Sequence, residues 1–260
     1  MLDNQRFRIS NMQTRKWGLA LKVGAIVCIL LVVKGILYIF DREPLEITTL
    51  SSAFVGGVIF TLAIIFAGTL TDYKESEKIP GELAASIKTL YKDCSVIINE
   101  ERMAADMRLH IKELLGTLNS NFRRNVWELS EINKATDNVN SDIQRLVEKG
   151  IAPVFIARFR TELCNIDKVS NRVETIIKTS FIPAAYAISE LAIGLVLVVL
   201  LLTETDHYYE GLLIFGAIAF LLISMLLLVK DMDNPFEIGE NTYADVNIDI
   251  LFELETRLGE

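Results

Sequence analysis

Four long apolar segments constrain the fold of this chain more than any other feature. They cover residues 17–40, 50–70, 181–202 and 211–229, two on each side of a polar segment. An α-helix needs about 20 apolar residues to cross the roughly 30 Å hydrocarbon core of a bilayer, and each segment is close to that length. A helix also satisfies its own backbone hydrogen bonds, as lipid requires. The sequence therefore predicts an all-α integral membrane protein with four transmembrane helices.

The polar segment between the two pairs has the pattern of amphipathic helices. Apolar residues recur there at three- and four-residue spacing. One such set is Leu109, Ile111, Leu114, Leu115 and Leu118. A break is expected at 119–121. Pro153 is expected to start the last helix after a stop at Gly150, because proline fits the first helical turn. That last helix is expected to run directly into the third apolar segment.

Five parts follow from these boundaries. They are an N-terminus (1–16), a transmembrane hairpin (17–72), a helical domain (73–180), a second transmembrane hairpin (181–230) and a tail (231–260). Lys and Arg favour the cytoplasmic flanks of membrane spans. The first 22 residues carry five Lys or Arg and one acidic residue, whereas the loop at 203–210 carries three acidic residues and neither Lys nor Arg. Both termini and the helical domain are therefore predicted to be cytoplasmic.

Signs of catalysis or cofactor binding are lacking in the sequence. His110 and His207 are the two histidines, and the predicted topology separates them by the membrane. Cys28, Cys94 and Cys164 are isolated, so the spacing indicates neither a zinc site nor a disulfide framework. No nucleophile motif, glycine-rich phosphate loop or basic, aromatic patch for nucleic acid is present. We therefore expect no enzyme activity, no cofactor, no metal and no nucleic-acid partner, and we interpret the net charge of −8 as a solvated acidic surface.

Three charged residues lie inside the apolar segments. Lys22 and Lys34 are near opposite ends of the first segment, where a long side chain can extend to the interface. Glu190 is about nine residues into the third segment, too deep for its short side chain to reach water easily. An ionisable group inside a membrane marks a functional candidate. Glu190 either faces a water-filled cavity or pairs with Lys22, and the sequence leaves both open.

The second apolar segment carries residues that could line a pore. Gly56, Phe60 and Ile64 are four residues apart and therefore share one helical face. In a ring of such helices they would form stacked apolar collars, which can gate ions by excluding water. Contact with lipid or with another helix would produce the same spacing, so the pattern alone leaves the role open.

Three short motifs adjoin the apolar segments. FIPAAYAI at 181–188 opens the third segment, DMDNPFE at 231–237 follows the fourth, and an acidic helical stretch leads from Tyr73, directly after the second, to Tyr91. In order, they are similar to the I-P-x-A-Y segment, the D-x-[ED]-[NDR]-P-F signature and the Y…E…Y pattern of the bestrophin superfamily. The chain resembles specifically the prokaryotic bestrophin-like branch of that superfamily. The motif residues expected to have structural roles are Pro183, Tyr186, Asp231, Asp233, Asn234, Pro235 and Phe236.

The resemblance implies a homo-oligomeric, pentameric ion channel in a prokaryotic inner membrane. Its partners would be other copies of the chain, membrane lipid and permeant inorganic ions. Carried over by position, a narrow apolar neck falls at Gly56, Phe60 and Ile64, and a cytoplasmic constriction falls at Val154. The resemblance does not set the choice between anions and cations. The alternative is a non-conducting, membrane-anchored signalling or scaffold protein that acts through its cytoplasmic helices.

Two departures from the family pattern limit the comparison. Residues 73–77 read YKESE where ordinary bestrophins have an aromatic, arginine-rich run. Only Glu237 and Glu240 closely follow the N-P-F motif, so the dense acidic calcium clasp of eukaryotic members is not expected.

In the tail, Pro235 should end the fourth helix, and Phe236 should anchor a latch onto the cytoplasmic domain. The apolar residues beyond it are expected to pack against a neighbouring subunit.

Overall fold

The computed structural model of the chain describes residues 2–46, 48–97, 100–179, 183–237 and 242–259, with the backbone alone at 2–16 and 183. These residues form nine α-helices and one 3-10 turn, in two units. The membrane unit comprises Met1–Thr71 and Phe181–Asp233, and the helical unit comprises Asp72–Ser180 and Asn234–Glu260.

The membrane unit contains the four helices that are long and apolar enough to cross a bilayer. They are α1 (Leu2–Ile39), α2 (Thr49–Ser76), α7 (Pro183–Leu202) and α8 (Tyr208–Met232). The four predicted transmembrane helices are confirmed, but α1 begins well before residue 17 and α2 continues past residue 70. Neither extension contains proline or glycine, so no local signal stops the helix there.

Apolar contacts hold the membrane unit together. Helix α1 packs on α8, where Val23 and Val27 are buried with Phe215 and Ala219. A second cluster joins α2 to α7 and α8; its buried residues are Val58, Leu62, Ile193, Val196 and Leu222. Only 17–22 % of the most apolar stretch of each helix is buried within the chain, so lipid or other protein must cover the rest.

The helical unit is built from amphipathic helices around one core. Its helices are α3 (Ile79–Asp93), α4 (Glu101–Arg124), α5 (Leu129–Glu148), α6 (Pro153–Lys178) and α9 (Asp249–Gly259), with a 3-10 turn at Cys94–Val96. Helix α3 packs on α6, α4 on α5, and α5 on α6. The fully buried side chains come from the predicted apolar stripes; examples are Ile87, Leu90, Ile111, Leu118, Ile143 and Ile166.

The predicted break at 119–121 is wrong. Helix α4 continues to Arg124 and ends at Asn125, which adopts a left-handed conformation with φ 51°. Asparagine favours breaks because its side chain competes for backbone hydrogen bonds. Here those bonds stabilise the fold instead: Asn119 donates to the Leu251 carbonyl, and Asn121 accepts from the Glu128 amide at 2.6 Å.

The boundary between α5 and α6 follows the prediction. Gly150 adopts φ 75°, a conformation that glycine takes without strain, and Pro153 occupies the first turn of α6. The other end of α6 differs from the prediction. The helix stops at Lys178, and Thr179 has extended backbone angles, so α6 does not run directly into α7.

The C-terminal tail folds back onto its own chain. Helix α9 packs on α3 and α4, and Val246, Ile248, Leu251 and Leu254 are buried in the core of the helical unit. For these four residues the expected packing on a neighbouring subunit is therefore wrong, whereas Ile250 of the same apolar set is 48 % exposed. The apolar faces of the four buried residues are already covered by helices of the same chain.

Candidate functional site

One face of α2 is packed and the opposite face is free. Val58 and Leu62 are buried against α7 and α8. Phe60 and Ile64, which point the other way, are 68 % and 58 % exposed, and Gly56 is exposed with open space where a Cβ would lie. The structure therefore places the three predicted pore residues together on a face that no other part of the described chain covers.

This free face offers little hydrogen bonding to water. From Gly56 to Ile64 it runs for about 12 Å along the helix at 1.5 Å per residue. The neighbouring Thr61 hydroxyl donates to the Gly57 carbonyl of its own helix, 2.9 Å away. A narrow passage lined by such faces would exclude water, because its walls cannot replace an ion's hydration shell.

Val154 lies in the first turn of α6 and is 66 % exposed. Pro153 before it fixes the start of the helix. Ile156, two residues on, is buried, so the local packing holds the first turn while Val154 points outward. The Val154 side chain is therefore available to form a second apolar constriction. That role stays a prediction, because a constriction requires several copies of the chain.

Glu190 pairs with Lys230, not with Lys22. The Glu190 carboxylate on α7 contacts the ammonium of Lys230 in the last turn of α8, and both side chains are 45 % exposed. Lys22 is exposed on α1. The antiparallel hairpin explains the pairing, because the first half of α7 lies beside the last turns of α8. Lys230 could not be predicted as the partner of Glu190 from the sequence, because the depth of a residue in the membrane does not say which helices are neighbours.

Lys34 is buried and does not extend to the interface as expected. Its residue surface is 2 % exposed, and its Nζ lies 2.8 Å from Glu43 Oε1. The same ammonium donates to the carbonyl of Thr203 at 2.9 Å and of Leu200 at 3.2 Å. These carbonyls belong to the C-terminal end of α7, where the helix dipole favours a positive charge.

A short backbone pairing joins the two hairpin loops beside Lys34. The Leu45 amide donates to the Leu202 carbonyl at 3.1 Å, and the Glu204 amide donates to the Leu45 carbonyl at 2.7 Å. We call the Lys34–Glu43 pair and this pairing the loop clamp. It links the two halves of the membrane unit, and only the acidic character of the loops could have suggested it from the sequence.

The predicted motif residues lie close together within each unit. In the membrane unit the Tyr186 hydroxyl lies near Asp233, so the motif that opens α7 meets the motif that ends α8. Pro183 begins α7, and Asp231 lies in the last turn of α8. In the helical unit the Phe236 ring is 3 % exposed and lies 5.8 Å from the ring of Phe122.

The residues after Phe236 are tied to the same motif. The Pro235 carbonyl accepts a hydrogen bond from the Val246 backbone amide at 2.8 Å, and the side-chain amide of Asn234 donates to the Glu237 carboxylate at 3.4 Å. These contacts lie inside the helical unit, and the role of the motif as a latch stays a prediction. Pro235 also follows the end of α8 at Met232, where the sequence predicted that the helix would stop.

Several titratable groups of the helical unit are paired. No group of three or more His, Cys, Asp or Glu in the described ranges could hold a metal ion. His110 Nδ1 lies 2.6 Å from Asp142 Oδ2, and Arg145 also contacts Asp142. Burial raises the pKa of the Cys94 thiol to about 12. A thiol with so high a pKa stays protonated and is a poor nucleophile.

Comparison with solved structures decides the fold. The chain matches a crystal structure of a bacterial bestrophin homolog from Klebsiella pneumoniae with a TM-score of 0.76 over 92 % of this chain and 97 % of that one, at 14 % identity. The chain has a bestrophin-like fold. A point mutant of that homolog matches with a TM-score of 0.76 at 15 % identity over 91 % of this chain and 97 % of that one. A point mutant described only as a membrane protein matches with a TM-score of 0.73 at 17 % identity over 96 % and 97 %.

The bestrophin-like fold confirms the resemblance inferred from the three motifs. Together with the four apolar helices it makes the chain a multi-pass membrane protein. No protein-family model matches the sequence. No curated protein compared with it matches either. At identities of 14–17 % the likeness establishes the fold alone.

Proposed function

We propose that the chain assembles into a pentameric ion channel of a prokaryotic inner membrane, with α2 lining the pore. The observation that carries this proposal is the free apolar face of α2, formed by Gly56, Phe60 and Ile64. Its opposite face is occupied by α7 and α8. A helix with one packed face and one free, apolar face is what a ring of subunits around a pore requires.

Several copies are needed because a single α2 encloses nothing. Symmetric copies around an axis would bring the Phe60 and Ile64 side chains into successive collars. Such collars would gate by excluding water. The resemblance of the three sequence motifs to bestrophins supports an apolar neck of this kind. Val154 on the exposed start of α6 would form the second constriction in the same way.

The orientation of the proposed channel rests on charge. The five Lys and Arg among the first 22 residues favour a cytoplasmic N-terminus, and the scarcity of Lys and Arg in the two hairpin loops favours the outside for those loops. An even number of membrane helices then puts the helical unit and the C-terminal tail in the cytoplasm. The chain's function is accordingly permeation of inorganic ions, with no chemical reaction.

The test is conduction by the purified protein in planar bilayers under an asymmetric salt gradient. We expect unitary currents, and their reversal potential reports whether anions or cations pass. The subunit number is measured on the same preparation by native mass spectrometry. A dimer that passes no current would refute the channel and would support a scaffold that acts through its helical unit.

A further inference from the structure

Two cations of the helical unit lie over one aromatic ring. Arg108 and Lys112 are one turn apart on α4, and Tyr91 is on the facing helix α3. The Arg108 Cζ lies 5.7 Å from the centroid of the Tyr91 ring, and the Lys112 Nζ lies 5.8 Å from it. All three residues are half-buried. We call this group the Tyr91 patch.

Arg108 and Lys112 have no ion-pair partner among the described residues, although the chain has 34 acidic residues against 26 Lys and Arg. Asp93 and Asp142 lie near Cys94, as Arg108 does. Both already have partners, because Arg158 lies 2.9 Å from Asp93 and His110 lies 2.6 Å from Asp142.

The Arg108 guanidinium is also short of acceptors. Its Nε is shielded from solvent and makes no hydrogen bond to the described chain. A buried donor without an acceptor is destabilising. Contact with the Tyr91 ring stabilises the positive charges but supplies no acceptor in the plane of the guanidinium. Like charges four residues apart on a helix repel each other as well. A bound anion would supply the missing counter-charge, accept a hydrogen bond from the Arg108 Nε and reduce the repulsion between the two cations.

We propose that the Tyr91 patch binds a phosphate group. Arginine presents a planar fork that matches two phosphate oxygens, and lysine adds a mobile point charge. The phosphate neutralises both cations and accepts from the Arg108 Nε, while the Tyr91 ring forms one wall of the site. The phosphate is carried either by a soluble molecule or by a lipid headgroup. This inference is independent of ion conduction and concerns the helical unit alone.

The experiment measures binding to the full-length protein in detergent. Isothermal titration with sodium pyrophosphate, at ionic strength held constant with sodium chloride, is expected to show saturable binding. Arg108→Gln and Lys112→Gln should each weaken it at least tenfold, and Arg108→Lys should keep part of it. Lys168→Gln, which removes an exposed charge on α6, should leave the affinity unchanged. Thermal unfolding of every variant confirms that the helical unit is folded.

A second arm separates the two sources of phosphate. Short-chain phosphatidic acid is compared with phosphatidylcholine for its effect on the unfolding temperature. A rise with phosphatidic acid but no heat with pyrophosphate assigns the site to lipid, and the reverse assigns it to a soluble ligand. If the proposal holds, Arg108→Gln shows neither the binding heat with pyrophosphate nor the rise in unfolding temperature with phosphatidic acid. The proposal is overturned if neither ligand binds, if Arg108→Gln and Lys112→Gln bind like the parent, or if Arg108→Gln only dissociates the oligomer, which would mean that a neighbouring subunit's carboxylate occupies the patch.

Discussion

Lys34 and Glu43 form an ion pair of 2.8 Å in which both side chains are almost removed from solvent, at 3 % and 7 % exposure. A buried pair is stable only when its geometry is good and its remaining hydrogen-bonding groups are satisfied. Here the carbonyls at the end of α7 complete the coordination of the ammonium. The pair therefore fixes the loop after α1 to the end of α7.

We predict that Lys34→Met destabilises the membrane unit by about 3–5 kcal/mol, because Glu43 is then left buried without a counter-charge. Thermal unfolding in detergent measures the loss. The double variant Lys34→Met, Glu43→Gln should be more stable than the single one. Lys230→Met is the matched control, since its pair with Glu190 is half-exposed and should contribute at most about 1 kcal/mol. A Lys34→Met protein as heat-resistant as the parent would contradict the role of the loop clamp.

For the proposed neck, Phe60→Ala and Ile64→Ala are each expected to raise the single-channel conductance or the open probability severalfold. Smaller side chains widen the passage and lower the barrier to wetting it. Planar-bilayer recording of variants with the parent's subunit number makes the measurement. Phe220→Ala, an equal truncation on α8 at a side chain that is 39 % exposed, should conduct like the parent. If the two α2 variants also conduct like the parent, α2 does not form the constriction.

Periodicity predicted the helices because it records which face each helix buries. It misjudged single residues at the edge of a stripe. Leu109 was assigned to the apolar set of α4 but is 55 % exposed, while Ile111, Leu114, Leu115 and Leu118 are buried. Two residues correspond to about 200° of helix rotation, so Leu109 lies opposite Ile111. A strict check of angle would have removed it from the core.

Side-chain pairings between distant segments could not be predicted from the sequence. The partner of Glu190 depends on how α7 and α8 are aligned, and the burial of Lys34 depends on where α7 ends. Neither the alignment of α7 with α8 nor the burial of Lys34 produces a local pattern in the sequence. The three α2 residues were found because they share one helix, where spacing alone fixes the face. Their role around a pore depends on other copies of the chain, which is why it stays a proposal.

The cysteines of the helical unit should differ sharply in reactivity. Burial raises the Cys94 pKa to about 12, whereas Cys164 is exposed on α6. At pH 7.5 the thiolate fraction of Cys94 is then on the order of 1 in 10,000 or less, and the thiolate is the reactive form. In a Cys28→Ser background, maleimide should label one site in the folded protein and two in denaturant. Adding Cys164→Ser should abolish labelling of the folded protein; rapid labelling there would show that Cys94 is accessible.

Asp167 on α6 should make stability depend on pH. Burial raises the pKa of its carboxyl, and the nearby Asp137 charge adds to the effect. A folded-state pKa above the unfolded one favours folding below the unfolded pKa, and that contribution is lost as the pH rises through the folded pKa. Asp167→Asn should therefore raise the unfolding temperature at pH 7 but not near pH 4. Asp137→Asn, at an exposed position, should give a smaller gain at pH 7. An unchanged or lower unfolding temperature for Asp167→Asn at pH 7 would contradict the assignment.

Phe236 should be the main anchor of the latch between the C-terminal tail and the helical unit. Its ring is buried beside Phe122, and the neighbouring Pro235 carbonyl accepts from Val246, which leads into α9. Phe236→Ala would leave a cavity in the core and should cost about 3–5 kcal/mol. Thermal unfolding and limited proteolysis of the tail measure the effect. Phe252→Ala, which truncates a half-buried ring on α9, is the control and should cost less.

Deletion of residues 246–259 tests the same latch from the other side. Helix α9 covers α3 and α4 of its own chain. Its loss should therefore lower the unfolding temperature of the helical unit before it changes the subunit number in detergent. An intact oligomer with the parent's heat resistance, both after the deletion and in Phe236→Ala, would reduce the motif to a simple turn. A deletion variant that keeps its unfolding temperature but loses its oligomer would restore the packing on a neighbouring subunit that the sequence suggested.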